Sequence, residues 1–314
     1  MKVAWITNSG KGGGSARMAI YTVSNELEKR GVSSKIILKT PDLELGKVAL
    51  KALEEFDIFV LHNQFGEDAR NLVNNLHLLG REAILIVSDL HDISQVMMAN
   101  PWILVGSEYF SYLIQDNYPN STVRVVKDAW ENPHDVVKTS YIRVSQDKLT
   151  AVWFGSANDN FDFAFHLIAP LLEKANCKCV FITAHIMADI LYDHERICED
   201  IVKHDICILP SRMQEKHRCK GQNRLIQSMV LGMPTICSPV PDYMAIAKTY
   251  LNSYVAYTEE DWVYYTTLLQ DEALRERIGT RARKDVLEPH CLKRQIDDWE
   301  NLLKEVLDAG RART

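Results

Sequence analysis

The sequence predicts an α/β protein built from two doubly wound, Rossmann-like domains in tandem. Three observations predict it. Short apolar runs alternate with amphipathic helical patterns up to about residue 128, and the alternation resumes at about residue 148. The runs are continuously apolar rather than alternating, as strands of a parallel sheet covered on both faces are. Between the two series lies "AWENPHDVVKTSYIRVSQDK", irregular and polar over about 20 residues, longer than most loops inside one compact fold. A length of 314 residues suits two such domains.

The elements follow in order. "KVAWIT" (2–7) reads as a strand, and "SARMAIYTVSNELEKRG" (15–31) as a helix with apolar Ala16, Ala19, Ile20, Val23 and Leu27, Ser15 as cap and Gly31 as stop. Strand "SKIIL", a helix through "GKVALKALEEF", strand "DIFVLHN", helix "EDARNLVNNLHLLG" and strand "EAILIVSD" come next. A short helix, "WILVGS", the helix "EYFSYLIQDNY" and "TVRVVKD" complete a first domain, 1–128. After a linker, 129–147, a second domain (148–314) opens with "LTAVWFGS" and the helix "FDFAFHLIAPLLEKANC". It continues with "KCVFITAH", a helical region to His204, "DICILP", a helix from Lys220 and "PTICSP". A closing helix, 290–308, carries Leu292, Ile296, Trp299, Leu303 and Val306 on one stripe and is assigned to this second domain.

Composition excludes several classes. Thirty-six Lys and Arg against 42 acidic residues give −6, which offers nucleic acid or anionic lipid no global attraction. No run of 18 apolar residues occurs and no leader-like segment precedes the first glycines, so a cytoplasmic protein is expected, free or peripheral at a membrane. Seven scattered cysteines read as free thiols, and Cys177 and Cys179 lack a second pair at zinc spacing.

The richest stretch is "KGQNRLIQSMVLGMPTICSPVPDY" (220–243). Lys220, Asn223, Arg224 and Gln227 stand at i, i+3, i+4 and i+7 on one helix face, with Arg218, Lys216 and Arg212 just upstream. Cations at the positive end of a helix dipole oppose it unless an anion joins them, and the preceding strand places this end where ligands of parallel sheets bind. A diphosphate fits that chemistry. A solvated helix face is the bland alternative. "WFGS" ends another strand with Gly155 and Ser156, a turn in which backbone N–H and hydroxyl groups can approach phosphate.

The loop "NSGKGGGSARMA" spaces Gly10, Gly12 and Ser15 as G-x-G-x-x-S, and the second strand ends "ILKT" without a ribose-binding acid, which argues against a nicotinamide dinucleotide. No Lys directly precedes Ser or Thr there, which argues against an ATPase phosphate loop. Gly12, Gly13 and Gly14 remain as a loop that contacts substrate or closes over it. "LIVSDLHD" ends the fourth strand with Ser88, Asp89, His91 and Asp92, groups that could orient substrate hydroxyls or move protons, with helix capping by Asp89 or Asp92 as the bland alternative; His62 and Asn63 are similar candidates.

The stretch "DICILPSRMQEKHRCKGQNRLIQSMVLGMPTICSPVPDY" resembles the donor-binding segment of GT-B glycosyltransferases of the glycogen-synthase-like type. The glycine loop, "DAWENP", "VWFGS" and "HCLKRQIDDWENLL" fall in the matching order, the last as a closing helix that in such enzymes often crosses back to the first domain. Where relatives carry two glutamates eight positions apart, this chain has Cys219 and Gln227, and "KGQNRLIQ" is closer to the Lys-x-x-Asn-Arg-Leu pattern of a surface-carbohydrate branch. The His-Asp after the fourth strand is replaced by Ser88-Asp89.

The resemblance implies two domains facing a cleft, the acceptor on the first and the donor on the second. It implies hexosyl transfer with retention from a nucleoside diphosphate sugar such as a UDP-sugar, used as co-substrate with no resident cofactor and no metal. A glycan or other hydroxyl acceptor, lipid-linked ones included, would receive the sugar. Lys220, Arg224 and Asp89 are the expected catalytic residues, Gly155, Ser156, Asn223, Gln227 and Arg218 the donor contacts, and Gly12, Gly13, Gly14 and His91 the acceptor or cleft residues. A sugar-nucleotide epimerase and a degenerate nucleotide-binding scaffold are the rival expectations.

Overall fold

The computed structural model describes residues 1–39, 45, 54–145 and 147–313. They form two compact units, each around a six-stranded parallel sheet. In the first unit the elements are β1 (Lys2–Thr7), α1 (residues 14–29, π-helical at Arg17–Tyr21), β2 (Ser33–Leu38), β3 (Ile58–His62) and α2 (Gly66–Leu78). They continue with β4 (Glu82–Ile86), α3 (Ser94–Met97), β5 (Trp102–Val105), α4 (Glu108–Asn117) and β6 (Thr122–Val125). The order β2-β1-β3-β4-β5-β6 leaves the chain diverging to either side of β1, the switch point of a doubly wound sheet. Residues 46–53 of the helix expected through "GKVALKALEEF" lie outside the described residues.

The closing helix corrects the expected boundary. It runs Leu292–Arg313 (α12) and groups with residues 1–128, not with the second domain. Ile296, Trp299, Leu302, Leu303 and Val306 pack with Val3, Trp5, Ile20, Val23 and Leu27, and the rings of Trp5 and Trp299 meet edge to face at 5.2 Å. Arg30 pairs with Asp297 at 2.7 Å, and Arg124 with Glu305. An apolar stripe announces that a helix is buried but not in which core, which is why the pattern alone misassigned it.

The second unit, Ala129–Cys291, has β7 (Leu149–Phe154), α5 (residues 159–173, π-helical at Ala164–Ile168), β8 (Cys177–Thr183), β9 (Ile190–Leu191), α6 (Ile197–Val202) and β10 (Ile206–Leu209). Then come α7 (Glu215–Arg218), α8 (Asn223–Val230), β11 (Thr235–Cys237), α9 (Pro241–Met244), β12 (Tyr254–Val255), α10 (Glu259–Leu268) and α11 (Glu272–Val286). Strand order is β12-β11-β10-β7-β8-β9, so this sheet switches between β7 and β10.

The stretch expected to be a linker is fastened to this unit instead. Lys138 N donates to Leu231 O at 2.8 Å and its ammonium to His204 O at 2.7 Å. Tyr141 Oη donates to Gly232 O at 2.8 Å, while buried Arg275 donates to Tyr141 O at 2.5 Å and Asp205 accepts from Val144 N at 2.9 Å. An irregular backbone finds its hydrogen bonds in tertiary contacts when no ladder supplies them.

Candidate functional site

The loops after β7 and β10 flank the switch point of the second sheet, the position at which such sheets bind ligands. Their relation is fixed by buried Asn160 in the first turn of α5, whose Oδ1 accepts from Arg212 N at 3.0 Å. Ser211 N donates to Ser238 Oγ at 2.9 Å, tying the same loop to the end of β11. From there α7 leads to Lys220 and into α8.

Arg224, in the first turn of α8, lies with its guanidinium carbon 5.9 Å from the centroid of the Trp153 ring. It hydrogen-bonds the buried Tyr243 hydroxyl. Gly155 leaves it room: a Cβ there would stand 3.3 Å from Arg224 Nη1 and 3.3 Å from the Trp153 ring. Lys220 is half-buried, and burial first, then the charge of Arg224, depresses its pKa. Two cations therefore act on each other in a partly dry setting, the kind of place where an anion would be held by both.

Other expected donor residues have different surroundings. Gly155 N donates to Ile182 O at 3.2 Å, so it is a spacer for Arg224 rather than a phosphate donor. Gln227 is committed to the backbone of Glu131: its Nε2 donates to Glu131 O at 2.7 Å and its Oε1 accepts from Glu131 N at 3.0 Å. Cys219 is buried, and burial pushes its thiol up to about 11. Ser156 is exposed beside the Gly155 turn, Asn223 opens α8, and Arg218 is half-buried at the end of α7.

Sequence reasoning missed His217. Placed in the charged run "EKHR", it reads as exposed, yet only 4% of it is accessible. Its Nε2 stands 3.7 Å from Asp159 Oδ2, beyond hydrogen-bond length, and neither ring nitrogen has a hydrogen-bond partner. Burial, then Lys216, lower its pKa; Asp159 opposes them and Arg224 adds to them. Asp159 itself pairs with Lys216, which holds the carboxylate below its usual range.

In the first unit, polar groups gather at the ends of β1, β3 and β4. His62, wholly buried, shares a hydrogen bond through Nδ1 with Thr7 Oγ1 at 3.0 Å, and its Nε2 faces Ser88 Oγ at 3.4 Å. Asn63 Oδ1 accepts from Ser88 N at 3.0 Å, at a backbone φ of 51° that few residues but Asn and Gly tolerate. Burial pushes the His62 imidazole down to about 4, so it is neutral near pH 7. Asp89 is half-buried beside Ser88, and exposed His91 packs on Phe65 with ring centroids 4.9 Å apart. Gly12, Gly13 and Gly14 are exposed at the start of α1, and none has a left-handed backbone; Cβ atoms at Gly12 and Gly14 would meet nothing within 4 Å. Among the described residues no cluster of three His, Cys, Asp or Glu side chains could hold a metal ion, and no helix is long and apolar enough to cross a membrane.

No protein-family model matches the sequence, and no curated protein matches it either. Solved structures do match in fold. The Anabaena protein HepE in complex with UDP and glucose aligns at 12% identity with a TM-score of 0.66, over 97% of this chain and 100% of that one. A glycosyltransferase from Rickettsia africae aligns at 12% identity and TM-score 0.69, over 98% of each chain. Sucrose-phosphate synthase from Thermosynechococcus elongatus aligns at 10% identity and TM-score 0.68, over 98% of this chain and 99% of that one. The chain therefore has the two Rossmann-like domains of the GT-B fold class.

Proposed function

We propose that the protein is a glycosyltransferase that moves a sugar from a nucleoside diphosphate sugar to a hydroxyl acceptor. The observation that carries this reading is the pair of half-buried cations, Lys220 and Arg224, at the switch point of the second sheet. As the glycosidic bond breaks, the leaving diphosphate gains charge, and fixed cations help most at that moment. Held by Trp153 and Tyr243, Arg224 needs little reorganisation. Two cations can take the part a metal plays elsewhere, so transfer is metal-independent in this reading. Likeness in fold to a protein crystallised with UDP and glucose and with UDP-glucose supports a UDP moiety and a hexosyl donor, while retention rests on the resemblance of the donor segment alone. Gln227 then serves the site through Glu131 rather than through a ribose.

Burial of Cys219 where relatives place an acid favours a second reading, a binder that has lost turnover. One experiment separates them. A thermal-shift panel of UDP, UMP, NADH and Mg-ATP is followed by release of UDP from a UDP-sugar with and without EDTA. UDP at 100 times its Kd adds about 2.7 kcal/mol, UMP less, and EDTA changes little. UDP stabilisation without turnover across acceptors supports the silent binder; stabilisation by NADH or Mg-ATP alone refutes both.

A further inference from the structure

His217 has the surroundings of a group that waits for a charge. Core histidines are normally satisfied by hydrogen bonds, because a buried donor or acceptor left unpaired costs free energy. Both ring nitrogens of His217 are sealed from solvent and make no hydrogen bond, and the Asp159 carboxylate at 3.7 Å is within ion-pair range of a charged ring but beyond hydrogen-bond length. The charges that act on the ring come from three elements: Lys216 on its own helix, Asp159 at the start of α5, 3.7 Å away, and Arg224 in α8. Arg212, in the preceding loop, acts on Asp159. Positive charge dominates that set, so a second positive charge on the imidazole is resisted.

We propose that His217 is a positioning residue of the anion site: a diphosphate arriving at Lys220 and Arg224 makes it take one proton from solvent, and the imidazolium closes onto Asp159. This rests on the reading that a nucleoside diphosphate binds there. The anion cancels the field of Arg224, and the Nε2–H of the charged ring then has one acceptor within reach, which Lys216 already shares. Asp159 follows the Gly155–Ser156 turn by three residues, so the new ion pair ties the loop after β7 to the loop after β10 across the switch point. Diphosphate binding becomes tighter as pH falls through the window between the free and bound titration midpoints.

The test is NMR of the full chain carrying labelled histidine, titrated from pH 5 to 8 with and without UDP, the His217 resonance being identified by its loss in His217→Gln or by sequential assignment should that variant not fold. The midpoint, below 6.5 in the free protein, should rise by about one pH unit or more with UDP bound, and the rise should shrink in Asp159→Asn. UDP binding with an unmoved midpoint overturns the proposal and leaves the anion site standing. Failure of every nucleoside diphosphate to bind overturns both.

Discussion

Arg224 lies over Trp153: its guanidinium carbon is 5.9 Å from the centre of the ring, beside Gly155, where a Cβ would stand 3.3 Å from both. Gly155→Ala should therefore act twice. A side chain at φ 153° costs about 1–3 kcal/mol of stability, and the added methyl, 3.3 Å from both Arg224 Nη1 and the Trp153 ring, makes the guanidinium shift within its contact. UDP affinity should fall by about tenfold or more, the worth of one charge-assisted hydrogen bond. Urea unfolding and calorimetric titration of the same preparation read the two effects.

Lys220→Ala should slow transfer from a UDP-sugar by about 10 to 1000-fold, the scale for losing one preorganised electrostatic group. Steady-state rates at wild-type level would return this helix face to ordinary surface.

Gln227→Ala removes three contacts, two to the Glu131 backbone and one to Cys198 Sγ at 3.2 Å. Stability should drop by about 1–3 kcal/mol from the polar groups left unpaired. A collapse of UDP affinity at unchanged stability would instead restore the ribose contact that the sequence suggested.

His62 should limit acid stability. Its folded pKa, about 4, lies below the usual 6.5 of an unfolded chain, so between those values the unfolded state binds more protons and stability falls as pH falls. The loss from this group approaches about 3 kcal/mol by pH 4. Denaturant unfolding at pH 7 and pH 4.5 should show a shallower decline in His62→Asn than in wild type; parallel declines would refute the assignment. His204 and His217 are depressed in the same direction and add to the slope in both proteins.

What the sequence made legible were features with local periodicity. Strands β1, β3, β4 and β7 announce themselves as unbroken apolar runs, whereas the i, i+3, i+4 spacing read from Lys220 is helical only from Asn223 on: α8 begins there, and Lys220 precedes it in irregular backbone. What it hid depended on partners far along the chain. Gln227 meets Glu131 across 96 positions and Tyr141 meets Gly232 across 91, so a polar side chain and a polar stretch looked like a donor contact and a linker. His217 was hidden differently: its neighbours in sequence are charged, while the ring itself is buried, which local composition does not announce.

The pairing of Trp5 with Trp299 also sets an order in time. The first core cannot close when residues 1–128 leave the ribosome, because the stripe of α12 that covers it is made only after everything from Ala129 to Cys291. The second unit has its whole core in one continuous segment and can collapse as it emerges. The earlier-made half thus finishes later, and until Leu292 and its successors arrive, the apolar side chains of β1 and α1 stand open to other chains and to chaperones.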